Sequence, residues 1–285
     1  MKKVLIVALV ALFPLIGSAQ QVASKDQGKI VFTSKTKITL SGSITSMLSK
    51  EQLAKLQNRV THKELVFSSK ESVYRKYEAK KEGDTPNEQQ FGSAESGVMI
   101  KVMGGGTNDD QLYYNVAENK VVNMQTFMGR KFLIKYEGSE ATWKLKGASK
   151  QILGYDCKKA VMEKENMTIE AWFTTQIPVA SGPQGYGKLP GMILELKQIP
   201  KPAKEDKKES KDNEGGVRIT TTRVSPTTIT ATKIDFVKLN KGEIVPPRKG
   251  KKVTPKQFKK IVERKAKEMR EMRRNRGGGI TIERN

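Results

Sequence analysis

Residues 30–40 read IVFTSKTKITL, and their alternation decides the fold class. The even positions hold Ile30, Phe32, Ser34, Thr36, Ile38 and Leu40, while the odd positions are mainly Lys and Thr. In an extended chain successive side chains point to opposite faces, so a period of two predicts a half-buried antiparallel strand. The same pattern recurs outward from this stretch. Leu65 and Phe67 alternate with Glu64 and Val66, and Val73–Tyr77 continues after a Ser-rich turn. Val98, Ile100 and Val102 share a face beyond a polar loop at 80–97. Leu112–Val116 and Lys120–Met128 predict a hairpin across Glu118-Asn119. Phe132, Ile134 and Tyr136 share a face, and Trp143 and Leu145 alternate with Lys144 and Lys146. Short strands at this spacing predict a mainly β (α+β) chain, with a curved antiparallel sheet or barrel.

Three segments depart from that pattern. Over 46–58, Ser49 with Gln52 forms a capping box and Leu53 and Leu56 share a helical face, which predicts a short helix. Residues 200–216, PKPAKEDKKESKDNEGG, are charged and lack the apolar content needed to order, so a disordered insertion is expected. Residues 254–276 predict a helix: Thr254 caps it, Pro255 occupies the first turn and Gly277-Gly278-Gly279 ends it. Phe258, Ile261, Val262, Ala266, Met269 and Met272 form its apolar stripe, and Lys and Arg crowd the remaining surface.

The N-terminus reads as a secretory signal. Lys2 and Lys3 precede an apolar run from Val4 to Ile16, and Gly17-Ser18-Ala19 supply small residues for cleavage after Ala19. The run is 13 residues long, short of the roughly 20 that span a bilayer. No Cys follows it to carry a lipid, and no later stretch reaches spanning length. A soluble mature chain is therefore expected, in the periplasm or at the periphery of the outer membrane. It divides into a β-rich body at 20–247 and a basic helical extension at 248–285.

Charge and residue usage narrow the chemistry. The formal charge is +23, and fifteen Lys and Arg against four Glu at 248–285 put +11 in the extension alone. Such a field favours anionic partners such as lipid phosphates, and export makes nucleic acid an unlikely one. Cys157 is the single cysteine, so no intramolecular disulfide can form; it reads as a buried small residue more readily than as a reactive thiol. His62 is the single histidine, which removes paired-His zinc sites and leaves one base for any Ser or Cys nucleophile. Its place at a strand start suits an ordinary edge residue. Gly104-Gly105-Gly106 lacks the Gly-Lys-Ser/Thr of a phosphate loop, and Asp109 and Asp110 lack the ligand spacing of a calcium loop. Glu163 and Glu165 fit a strand turn. No catalytic constellation, metal site or cofactor is expected.

The blocks between 112 and 196 carry a resemblance. They are Leu112-Tyr113-Tyr114, Lys131–Ile134, Trp143-Lys144-Leu145, Ile152–Ala160 with Gly154-Tyr155-Asp156-Cys157, Ala171–Thr174, Ile177-Pro178 and Gly182-Pro183. Lys188-Leu189-Pro190-Gly191-Met192-Ile193 completes the series. In order and spacing they resemble the GLPGLI family of exported Bacteroidota proteins, named for that last motif. Lys188 stands where the family has its first Gly, so either this position does not demand a positive φ or Gly187 takes that role. Pro190-Gly191 suits a tight turn launching a strand, and the loop reads either as a structural corner or as a site. The family resemblance and a weaker likeness to periplasmic half-barrels imply an envelope protein that binds an amphiphilic ligand or a peptide without catalysis, with Trp143, Tyr155, Trp172 and Phe173 as candidate lining residues. The alternatives are an accessory module of a TonB-dependent outer-membrane transporter and, third, a peptidase.

Overall fold

The computed structural model describes residues 24–41, 49–78, 110–138, 142–201 and 220–276. The secretory signal, the loop at 80–97, the strand at 98–102, the glycine turn up to Asp109, the insertion from 202 onward and the glycine stop at 277–279 lie outside those residues. The described chain forms β1 (Gly28–Ser41), α1 (Lys50–Gln57), β2 (Asn58–Phe67), β3 (Glu71–Lys76), β4 (Gln111–Asn115), β5 (Lys120–Phe127) and β6 (Arg130–Glu137). It continues through β7 (Lys144–Ile152), β8 (Tyr155–Glu163), β9 (Met167–Thr174), β10 (Met192–Pro200), β11 (Thr220–Asp235), β12 (Lys251–Val253) and α2 (Pro255–Arg276).

All twelve strands join one open sheet in the order β12-β6-β5-β4-β3-β2-β1-β11-β10-β9-β8-β7. Neighbours pair antiparallel except β12, which runs parallel to β6. The sheet curls on itself, so that Leu65, Phe67 and Tyr74 from the central strands β2 and β3 share a buried cluster with Ala160, Met162, Ile169 and Phe173 from β8 and β9. The concave face thus holds the core: Ile30, Phe32, Leu194 and Leu196 are fully buried there. Over 29–33 the expected alternation is seen in β1, as Ile30 and Phe32 are buried between less buried neighbours, while the side chains of residues 38–40 lie outside the described residues.

The opposite face of β1–β6 is covered by a strap. Residues 236–250 leave β11 beside β1 and reach β12 beside β6, so they must cross the strands between. The Lys29 ammonium, 2.6 Å from the Glu243 carboxylate, pins the strap to one face. Lys29 pairs across the ladder with Val66, and Val66, Val73, Tyr113, Met124 and Leu133 on that face are all buried.

Some boundaries differ from expectation. The short helix ends at Gln57 because Asn58 bonds back to the Ala54 carbonyl (3.0 Å) and enters the ladder opposite Lys37. Strand β11 begins at Thr220, soon after the charged insertion, and pairs along β1 as far as Ser41. Pro200 and Lys201, assigned to the insertion, end β10: Pro200 pairs with Met167, and the Lys201 N–H donates to the Asn166 carbonyl (3.0 Å). In β7, Leu145 is 63% exposed, because β7 is the outermost strand.

Helix α2 begins as expected. The Thr254 hydroxyl accepts from the Gln257 N–H (3.2 Å), and the Gln257 side-chain oxygen accepts from the Thr254 N–H (2.8 Å), a reciprocal capping box. Phe258 then packs edge-on against Phe132 (5.3 Å between centroids) and Phe127 (6.2 Å), and Ile261 joins the same cluster with Val253 and Ile134. The helix therefore packs at the β6–β12 margin of the sheet. Its first two turns dock on β5, β6 and β12, so the front of its apolar stripe is already covered.

Candidate ligand-binding cleft

The segment between β9 and β10 shapes the concave face. Ile177, Val179, Ser181 and Leu189 are buried along it. The Ser181 and Ser72 hydroxyls share a hydrogen bond of 2.9 Å, which ties the segment to β3. A Cβ on Gly187 would stand 2.5 Å from the Ala180 carbonyl oxygen and 2.9 Å from the Tyr114 ring, so the chain also presses on β4. The segment thus crosses from one limb of the curled sheet to the other and fills much of the concavity.

The motif at 188–193 closes this crossing. Leu189, Met192 and Ile193 are buried, while Lys188 and Pro190 are exposed. Gly191 has φ 154°, and a Cβ there would lie 2.0 Å from the Thr174 carbonyl oxygen, so no other residue fits. Lys188 has φ 65°, in the left-handed region. The expectation that this position does not demand a positive φ is overturned, and Gly187 does not take the role. The motif forms a packed corner.

The aromatic residues nominated from sequence do not converge. Phe173 is in the core (2% exposed). Trp172, its neighbour on β9, points to the other face, where the Lys150 ammonium sits 4.4 Å from its ring centroid and bonds Glu195 (2.7 Å). Tyr155 lies under Lys25 near the β7–β8 turn (5.3 Å). The Trp143 indole N–H donates to the Gly187 carbonyl (2.8 Å), and its ring meets Tyr186 edge-on (6.3 Å), so Trp143 braces the crossing segment.

Space remains at the other limb. A half-open cleft of about 400 Å³ lies between the concave face of β2–β6 and the turn of the crossing segment at Gln184-Gly185-Tyr186. Lys164, on the β8–β9 turn, forms part of the far wall. Ladder pairing puts Lys63, Tyr74, Leu112, Asn123 and Tyr136 on one face, since Tyr74 pairs with Leu112 and Leu112 with Asn123. The cleft offers three phenols (Tyr74, Tyr136, Tyr186) and the primary amides of Asn123, Gln125 and Gln184. Lys63, Lys164 and Asp110 supply its charges. Lys164 donates to the Tyr186 hydroxyl (3.3 Å), and Gln198 donates to the Gln184 side-chain oxygen (2.7 Å), which fixes that wall.

The electrostatics suit hydrogen bonding. Burial pushes the Tyr74 and Tyr136 phenols upward, and the neighbouring Tyr186 adds to the rise at Tyr136. Both stay protonated across the physiological range and can donate. Sequence reasoning missed the cleft because its residues come from β2 to β6 and from a turn over forty residues further along the chain. The polar members Asn123 and Gln125 break the apolar alternation of β5, and they were the one local signal.

His62 and Cys157 lie apart from the cleft. The His62 Nδ1 bonds the Thr33 hydroxyl (3.1 Å) across the β1–β2 ladder. Cys157 is fully buried, its thiol donating to the Tyr155 carbonyl (3.5 Å), and burial pushes the thiol up to about 11. Among the described residues, no three His, Cys, Asp or Glu side chains are grouped so as to hold a metal ion.

No curated protein matches this sequence at a significant level. Among solved structures, the chain is similar to "Structure of PNGF-II in P21 space group" at 14% identity and a TM-score of 0.45, covering 82% of this chain and 33% of that one. The C2 crystal form of the same protein gives 14% identity and a TM-score of 0.45, with coverage of 83% and 32%. This chain thus spans about a third of the length of that protein. Residues 161–195, from the end of β8 through β9, the crossing segment and the 188–193 corner, match a family model described as "Protein of unknown function (Porph_ging)".

Proposed function

We propose that this is an exported envelope protein that binds a short, extended peptide bearing a carboxylate, without catalysing a reaction on it. The observation that carries the reading is the inventory of the cleft. The Asn123, Gln125 and Gln184 amides between them offer donors and acceptors, which is what the alternating N–H and C=O groups of a peptide require. The Lys164 ammonium on the cleft wall is bonded to the neutral Tyr186 hydroxyl, so it can also meet a carboxylate on the ligand. A volume of about 400 Å³ falls within the usual range for small-ligand sites. A wholly apolar ligand fits less well, because the crossing segment already occupies the apolar part of the concavity.

A non-catalytic role is supported by the placement of the two residues that could act as nucleophile and base. Cys157 is buried away from the cleft, and its thiol is held protonated. His62 is engaged by a hydroxyl on the ladder. Export rests on the basic, apolar and small-residue order of residues 2–19. Among the described residues, no helix is long and apolar enough to cross a membrane. The transporter-accessory reading meets this one if the bound peptide is a segment of a partner protein.

Native mass spectrometry of protein purified from the envelope tests the proposal, beside a variant carrying Asn123→Leu and Gln125→Leu. Wild type should carry peptide adducts, and the variant should lose them while keeping its circular dichroism. Adducts retained by the variant, or absent from every wild-type preparation, would sink the reading.

A further inference from the structure

The C-terminal helix presents a charged face that the cleft does not use. Between Arg248 and Arg276 there are fourteen Lys and Arg against three Glu, a net +11. The docking of Phe258 and Ile261 on β5 and β6 fixes which side of the helix faces out. At 100° per residue, Lys256, Lys260, Arg264 and Lys267 lie on the side opposite Phe258. All four are exposed, Lys267 by 79% and Arg264 by 68%. The three glutamates are each engaged within the helix: Glu263 by Lys259, Glu268 by Lys265 and Arg264, and Glu271 by Lys267. They therefore temper the field without reversing it. Lys251 and Lys252 of β12 extend the same positive end.

We infer that this end of the molecule docks on the phosphate-bearing surface of an anionic membrane, with helix α2 lying against the headgroups. The contact is electrostatic, not insertional, because the leading part of the apolar stripe is spent on the protein's own sheet. A helix of 22 residues is about 33 Å long, so its outer cations form a row rather than a point. A planar array of phosphates meets such a row at many places at once. Nucleic acid is the weaker partner. Between Lys256 and Lys267 the outward side carries no aromatic ring on which a base could stack, and export removes the chain from it. Each cation near an anionic bilayer contributes roughly five-fold to partitioning, and the effect decays over about 8 Å in physiological salt.

The test is co-sedimentation of the full mature chain with phosphatidylcholine vesicles containing roughly one-third phosphatidylglycerol, beside pure phosphatidylcholine vesicles. The variant Lys256→Glu, Lys260→Glu, Arg264→Glu, Lys267→Glu should lose roughly a hundred-fold or more in partitioning. A control reversing Lys144 and Lys146 on the far edge strand should change it little. Wild-type binding should vanish in about 0.5 M salt. Equal binding by the fourfold variant, binding to pure phosphatidylcholine, or tighter binding to duplex DNA at equal phosphate concentration would overturn the inference. Circular dichroism of the variant separates lost docking from lost folding.

Discussion

Lys188 holds a left-handed backbone at φ 65°, where a side chain costs about 1–2 kcal/mol relative to glycine. Its side chain is exposed, so little packing opposes the strain. Restoring glycine relieves it but adds freedom to the unfolded chain, worth about 0.5–1 kcal/mol. Lys188→Gly should therefore raise stability by about 0.5–1 kcal/mol, read as a higher urea midpoint at unchanged slope. A lower midpoint would show that the lysine makes a contact that outweighs the strain. Gly191, three residues further along, behaves differently, since the Thr174 carbonyl leaves no room for any Cβ. The sequence marked both positions as a motif. It could not say which glycine was replaceable, because the obstructing atom at Gly191 belongs to another strand.

Helix α2 depends on local chemistry that the sequence displays in full. Thr254 and Gln257 exchange hydrogen bonds at its start, three residues apart, and Phe258 follows at once as the anchor. Thr254→Ala removes an acceptor for the Gln257 N–H, which typically costs about 1 kcal/mol. Hydrogen exchange should quicken in the first turn of the helix and, through Phe258, at Phe132 on β6. Unchanged protection at both places would mean that docking alone holds the turn. Strand β7 shows the reverse case. Its alternation of Leu145 with lysines is legible, yet Leu145 is open to solvent. Whether a strand is central or at an edge depends on the order of the whole sheet, which no local pattern contains. The lysines on this edge also discourage pairing with another chain.

At the scale of the molecule, the strap at 236–250 holds the outer face of β1–β6, and Glu243 is its fastening. The Lys29 ammonium, and next the Asn240 N–H, hold the Glu243 carboxyl below the usual carboxylate range. A depressed folded value means that this stabilisation is present above the unfolded value of about 4.3 and is lost as pH falls through the folded value. Glu243→Gln should lower stability near neutrality by no more than about 1 kcal/mol, as the pair is partly solvated. The two proteins should converge as acid protonates Glu243. Urea midpoints measured from neutral pH into acid check this, and a gap that persists in acid would show that the loss is one of packing. The sequence by itself determined that the chain is β-rich with antiparallel strands, through its period of two, and that it carries a capped basic helix, through Thr254, Pro255 and an apolar stripe at helical spacing. These follow from side-chain direction and from hydrogen bonds between near neighbours. Only the tertiary structure decided the curl of the sheet, the filling of its concavity by residues 177–191 and the cleft between Tyr136 and Lys164. Those depend on contacts between residues far apart in the chain, where closing the sheet sets which polar side chains meet.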